Sequence, residues 1–250
     1  MKKHFYPLPL AALLLAHPAH AQHTEVVERA GANLSWYGGP DAAPTSFINR
    51  HSQDGLYFGD AYTNTPYGTR AGLGLGLGLR VLRVGERGQL WAYDLGYDWQ
   101  RVGTDITSVS NVDWSARTQQ GSYQRYAADG RTYLHSHNIS LFVGYGHRFQ
   151  AGTLHLDALA GPELAAVLAS REHGQGTFNN GYRWTTDAQR SSAGVDGRLR
   201  ADLIAWHGRT GLNASYSLGL ISAQASLVGG PARQSFGQTV RFGIAYLLNN

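Results

Sequence analysis

Apolar and polar positions alternate with a period of two through most of the chain, and the alternation falls into eight segments: residues 26–37, 67–84, 89–101, 135–149, 153–166, 194–206, 210–221 and 236–248. On an extended chain this period places the two kinds of residue on opposite faces. In the third segment Trp91, Tyr93, Leu95, Tyr97 and Trp99 share one face, and Ala92, Asp94, Gly96, Asp98 and Gln100 the other. The fourth sets Ile139, Leu141, Val143 and Tyr145 against Asn138, Ser140, Gly144, Gly146 and Arg148. In the sixth, Val195, Leu199, Ala201 and Leu203 oppose Asp196, Arg198, Arg200 and Asp202. The last sets Val240, Phe242, Ile244, Tyr246 and Leu248 against Arg241, Gly243 and Ala245. The second contains the run GLGLGLGLR, Gly72 to Arg80, with four leucines on one face and an almost bare face opposite. A glycine inside a strand costs roughly 0.5–1 kcal/mol relative to alanine, so a bare face kept over eight residues implies that something bulky lies against it.

The connections separate by length. Tight turns are expected at 85–88, 150–152 and 207–209. They alternate with long polar stretches at 38–66, 102–133 and 168–192, and with a shorter one through Gly229, Gly230 and Pro231. Consecutive connections of an up-and-down barrel lie at opposite ends, so every tight turn falls at one end and every long loop at the other. That is the arrangement of outer-membrane barrels. The predicted fold is all-β: an eight-stranded antiparallel up-and-down transmembrane β-barrel with short periplasmic turns and long external loops.

The chemistry of the faces decides which one is inside. Trp91, Tyr93, Tyr97 and Trp99 would overfill a water-soluble core, whereas the opposite face carries glycine, small polar residues, and arginine and aspartate in near-equal numbers. Such a mixture suits an enclosed lumen in which charges must pair. Trp91 and Trp99 are separated by roughly 26 Å along a strand, or roughly 20 Å of height at a tilt of about 40°. The predicted membrane-girdle aromatics are Trp91, Tyr93, Tyr97, Trp99, Tyr145, Phe242 and Tyr246. The predicted lumen-facing charges are Arg70, Arg80, Asp94, Asp98, Arg148, Asp157, Glu163, Asp196, Arg198, Arg200, Asp202 and Arg241, together with Arg29 and His155. An eight-stranded interior is only wide enough for side chains, so these groups are expected to fill it with salt bridges. A gated water path along them is the alternative.

Composition adds location. The first residues, MKKHFYPLPLAALLLAHPAHA, combine Lys2 and Lys3, an apolar run and the small-x-small site Ala19-His20-Ala21. This is the pattern of a secretory signal peptide cleaved after Ala21. The expected organisation is therefore a leader over 1–21 and one barrel domain over 22–250, exported to the outer membrane of a Gram-negative cell envelope. No later run is long enough for a transmembrane helix, and the absence of cysteine excludes a disulfide-stapled fold. Both lysines lie in the leader, so the 21 basic residues less these two leave 19 arginines against 17 acidic residues. The arginines are dispersed, without the footprint of a nucleic-acid binder.

Candidate chemistry is sparse. His135 and His137 share a strand face but fall short of a metal site, which takes three or more protein ligands; no metal or cofactor is expected. The long loops carry Trp114, Tyr123, Arg125, Tyr126, Phe178, Tyr182 and Trp184 among Asn, Gly, Gln and Thr. These suit either a binding surface or self-packed loop cores. The chain resembles the small eight-stranded outer-membrane barrel proteins, and most of all the PorT-like barrel domain of Bacteroidetes within the broad "porin family". The resemblance rests on ERAGANLSWYGG (Glu28 to Gly39), YGTRAGLGLGLGLRV, and the C-terminal FGIAY (Phe242 to Tyr246) followed by Leu247, Leu248 and Asn249. It implies a shared fold and location rather than one activity. The expected role is structural or surface-binding, or that of a narrow pore. Expected partners are outer-membrane lipid and lipopolysaccharide, the barrel-assembly machinery, and a loop ligand that the sequence does not name. A lipid A-modifying barrel enzyme and an exported lipocalin-like barrel are the alternatives. The His-x-Ser pair of lipid A deacylases does not occur in the chain.

Overall fold

The computed structural model describes residues 21–53, 56–57, 61–115, 120–190, 194–223 and 234–249. The expected leader, apart from Ala21, and the expected turn at Gly229-Gly230-Pro231 lie outside the described residues. Those residues contain no helix. In chain order the strands are β1 (Ala21–Gly38), β2 (Thr45–Gln53), β3 (Leu56–Tyr57), β4 (Tyr62–Thr63), β5 (Arg70–Gly85), β6 (Gln89–Ser115), β7 (Gln120–Ala151), β8 (Leu154–Phe178), β9 (Arg183–Gln189), β10 (Val195–His207), β11 (Thr210–Gly219) and β12 (Phe236–Leu247).

Eight of them close a ring: β1, β5, β6, β7, β8, β10, β11 and β12 each pair antiparallel with the next, and β12 pairs with β1. Following directly paired residues once around, from Ala205 through Leu212, Ile244, Ala30, Leu77, Tyr97, Ile139 and Ala166, returns to β10 at Val195. The return point is ten residues from the start. For eight strands that stagger sets a tilt of about 40° and an interior as wide as its side chains.

The two faces divide as the alternation requires. Leu73, Leu75, Leu77 and Leu79 stand outward, with Leu77 64% exposed, while Arg80, Leu82 and Val84 of the same strand are buried inside. Outward residues of the other strands continue the apolar wall, among them Leu95, Leu141, Leu164, Leu199, Leu203, Leu212 and Ile244. The lumen is layered. Towards the tight turns, Leu82, Val84, Leu90, Ala92, Phe142 and Leu159 form one apolar cluster, and Val27, Ile204, Trp206 and Ala245 another. Charged and then small polar side chains fill the space beyond. Bareness on the inner face has a steric cause at Gly31, which lies directly between Gly243 and Gly76. A Cβ on Gly31 would sit 2.6 Å from the Gly243 Cα, and one on Gly76 2.6 Å from Asp98 Oδ1.

The long connections carry strands of their own. β6 and β7 run on together as a hairpin far past the barrel, to Ser115 opposite Gln120. Where β5 leaves β6 at Arg70 opposite Gly103, β2 takes its place in parallel, from Thr45 opposite Asp105 onward. Likewise β9 replaces β10 along β8. This extension has its own core of Ile48, Ile106, Val109, Ala128 and Trp184, with Ala61 and Phe178 packed on it. The periodicity failed to announce it because its outer face is polar, so burial there does not produce the apolar alternation of the barrel wall.

Neighbouring positions on β5 therefore have opposite demands. Gly76→Leu is expected to abolish the compact, heat-modifiable band of the folded protein on unboiled gels. Leu77→Ile should leave it intact, and Leu77→Arg should cost about 2–4 kcal/mol, the penalty of a cation at mid-wall.

Candidate functional site

The register places opposite charges against one another across neighbouring strands. Arg80 faces Asp94, Arg198 faces Glu163, and Arg148 faces Asp157. Arg80 is fully buried; it donates Nε to Asp94 Oδ1 at 2.6 Å and Nη2 to Asp94 Oδ2 at 2.8 Å, and it also pairs with Asp202. Arg29, from the glycine-rich part of β1, donates to Asp94 at 2.6 Å. Arg200 bridges Asp202 at 2.8 Å and Glu163 at 3.1 Å, with its guanidinium 4.6 Å from the centre of the Phe142 ring. Arg241 extends the chain of pairs to Asp98 at 2.7 Å and back to Glu163 at 3.2 Å, and Arg198 donates to Asp196 at 2.6 Å. Five arginines and five carboxylates thus form one continuous network at mid-lumen. Closer to the turns, Arg148 binds Glu25 at 2.7 Å and Asp157 at 2.7 Å, and Trp206 Nε1 donates to Asp157 at 2.8 Å.

Charges so enclosed are tolerable only because each has a partner; a lone one would carry several kcal/mol of desolvation. A cavity of about 40 Å³ lies among Arg29, Asn33, Asp98, Ser140, Arg200, Asn213 and Arg241, a volume on the scale of a few water molecules.

Of the expected lumen charges, Arg80, Asp94, Asp98, Arg148, Asp157, Glu163, Asp196, Arg198, Arg200, Asp202 and Arg241 face inward, as do Arg29 and His155. Arg70 does not. A bulge between Ala71 and Leu75 inserts one residue on β5 relative to β6 and reverses the face, leaving Arg70 half-exposed on the outer wall and paired with Asp105. Glu25 and Trp206 were missed, although each shares parity with inward residues of its own strand. Among the girdle aromatics, Trp91 and Tyr145 are paired across strands with rings 5.0 Å apart near the turns, and Tyr246 lies 5.3 Å from the Arg209 guanidinium at the same end. Tyr93 follows Trp91 along the wall, and Tyr97 and Trp99 lie towards the extension. Phe242, four residues from Tyr246, is about 10 Å further along the wall.

The loop aromatics separate into two sets. Trp184 is buried in the extension core with Phe178 against it, whereas Trp114, Tyr123, Tyr126 and Tyr182 are exposed. Arg125 lies 4.4 Å over the Phe47 ring, fixing the hairpin against β2. Where the extension meets the barrel, buried Glu172 accepts from the Thr63 backbone N–H at 2.8 Å, the Thr63 hydroxyl at 2.6 Å and the Thr186 hydroxyl at 3.0 Å. One carboxylate therefore ties β4 to β8 and β9. On the outer side Arg171 donates to Asp187 at 2.6 Å, a bond that with the nearby charges of His173 and Arg171 holds this carboxyl below the usual range. His135 and His137 stand on the outer wall, and among the described residues no group of three metal-ligating side chains occurs.

No family model and no curated protein matches the chain. Among solved structures, it is similar to Ail, the attachment invasion locus protein of Yersinia pestis, in complex with the heparin analogue sucrose octasulfate. Identity is 14%, coverage 90% of this chain and 99% of that one, and the TM-score 0.38. A second structure of Ail gives 13% identity, the same coverage and a TM-score of 0.36. Neisserial surface protein A gives 10%, 90%, 99% and 0.34.

The network makes its own prediction. Arg80→Met removes the buried guanidinium shared by Asp94 and Asp202, leaves them to Arg29 and Arg200 with one negative charge in excess, and should lower unfolding free energy by about 3–5 kcal/mol, read by urea titration of protein folded into lipid vesicles. Adding Asp202→Asn should recover part of that loss, because it removes the negative charge left in excess.

Proposed function

We propose that the chain is an outer-membrane β-barrel of the small eight-stranded kind, PorT-like in type, exported by a leader cleaved after Ala21. Its role is structural and surface-binding, not catalytic. The observation that carries this reading is the pairing of a lumen filled by buried ion pairs with a β-built extension that displays Trp114, Tyr123, Tyr126 and Tyr182 to solvent. An apolar wall facing outward needs hydrocarbon around it, and a closed ring satisfies every backbone group there. The same wall disfavours a lipocalin-like carrier, which needs its apolar surface and its ligand cavity inside. Aromatic side chains on a rigid scaffold supply large contact area at low entropic cost, so the extension is the binding element and the barrel its mount. Outer-membrane lipid and lipopolysaccharide surround the wall, and the assembly machinery receives the chain during biogenesis.

Topology is testable because the chain has no cysteine of its own. In intact cells a membrane-impermeant maleimide should label Ser122→Cys at the hairpin tip, and Glu86→Cys in the β5–β6 turn only after the outer membrane is permeabilised. Labelling of both in intact cells would overturn the orientation. The purified protein in planar bilayers should give no unitary conductance steps; regular steps would replace the filled lumen with the narrow pore.

A further inference from the structure

Just beyond Trp99, the outer wall changes character within one strand repeat. Arg101 of β6, His135 of β7 and Arg171 of β8 stand directly opposite one another in a single cross-strand row. Two arginines thus flank one imidazole, and no carboxylate lies in the row. The guanidinium carbon of Arg101 lies 3.6 Å from the centre of the Tyr133 ring, and its buried Nε has no hydrogen-bond partner among the described residues. His135 is stacked on Trp99 with ring centres 5.6 Å apart and meets the edge of His173 at the same distance. His137 is oriented by a 2.6 Å hydrogen bond between its Nδ1 and the Tyr97 hydroxyl, leaving Nε2 for another partner. The carboxylates nearest this rim are already engaged, Asp105 by Arg70 and Arg131, and Asp187 by Arg171 and His173.

Directly below this row the wall is furrowed. Apolar grooves of about 680 and 850 Å³ run over Ala30 between Leu75, Leu77, Tyr97 and Trp99 on one side and Ile244 and Tyr246 on the other. Trp99 belongs to both features, lining the furrow and carrying the His135 ring. A molecule matching the two must have an anionic head at the level of Arg101 and His135 and an acyl chain descending along the leucines.

We infer that the Arg101–His135–His137 face of β6 and β7 is a binding site for a phosphorylated, acylated glycolipid of the outer leaflet, with a phosphate on Arg101 and His135 and an acyl chain in the furrow below Trp99. The inference rests on the outer-membrane reading and deepens it by naming the lipid-binding side of the barrel. A guanidinium held against an aromatic ring is positioned with little loss of freedom, and its several N–H donors match the oxygens of a phosphate. On the opposite side of the barrel, β1 and β12 present Trp36 and Gln238, which are paired with each other.

The test uses the full-length mature protein folded in zwitterionic detergent, with native mass spectrometry for retained lipid and Trp fluorescence for affinity. Bisphosphorylated lipid A should be retained, and its dephosphorylated form and phosphatidylethanolamine should bind at least tenfold more weakly. Arg101→Gln and His135→Gln should each weaken lipid A binding about tenfold, and Arg101→Lys, which keeps the charge but loses the guanidinium edge, should recover only part of that loss. Equal binding of all three lipids, or unchanged binding in both glutamine variants, would overturn the inference. Displacement of lipid A by millimolar inorganic phosphate would also overturn it, by making this a free-phosphate site. Heat-modifiable mobility and insertion into vesicles are read on the same samples. A protein that inserts but shows no lipid preference loses only this inference; one that does not insert loses the outer-membrane reading beneath it.

Discussion

The seam between β12 and β1 is the constraint on which the rest depends. Pairing from Val27 opposite Leu247 to Gly38 opposite Phe236 turns an open sheet with two edges into a ring with none. Backbone groups in hydrocarbon have no water to bond, so a sheet can carry an apolar exterior through a membrane only as a closed ring. Closure at a stagger of ten residues fixes the width of the interior. That width in turn dictates what the inward face can hold: glycine where arginine side chains must lie, and a carboxylate wherever a guanidinium is enclosed.

Within this space the charged network closes the lumen and also specifies the register. A buried ion pair is weak evidence for added stability, since desolvation offsets much of the attraction. Its effect on specificity is stronger. Slipping one strand by a residue would send Arg80 or Asp202 to the outer wall and draw a leucine in. The glycine run of β5 belongs to the same arrangement. Its inner face is bare because Arg29 Nη2 would lie 3.1 Å from a Cβ on Gly78, and its outer face is leucine because it borders the apolar surroundings.

Beyond the upper aromatic residues, the sheet continues with different neighbours. β2 and β9 replace β5 and β10, and a second core around Ile106 and Trp184 keeps the extension rigid. The barrel thus anchors a β-structured surface rather than a set of loose loops. The join is polar and buried, with Glu172 holding Thr63 and Thr186, so the extension is fixed to the barrel by directional bonds as well as by packing. At the boundary, the row of Arg101, His135 and Arg171 marks where the wall passes from apolar to charged surroundings.

The sequence by itself determined the eight wall strands and most of their inward and outward faces. Each is a local consequence of side chains alternating across an extended backbone between an apolar exterior and a polar interior. Only the tertiary structure decided what depends on register and replacement. It placed Arg70 outside through a bulge that no periodicity records. It separated Trp184 from Trp114 as core and surface, and it turned the polar stretches after Arg101 and Leu168 into strands. Those segments exchange an apolar environment for water on their outer side. The contrast between faces that made the wall legible therefore disappears there, and pairing with distant β2 and β9 takes over as the determinant of structure.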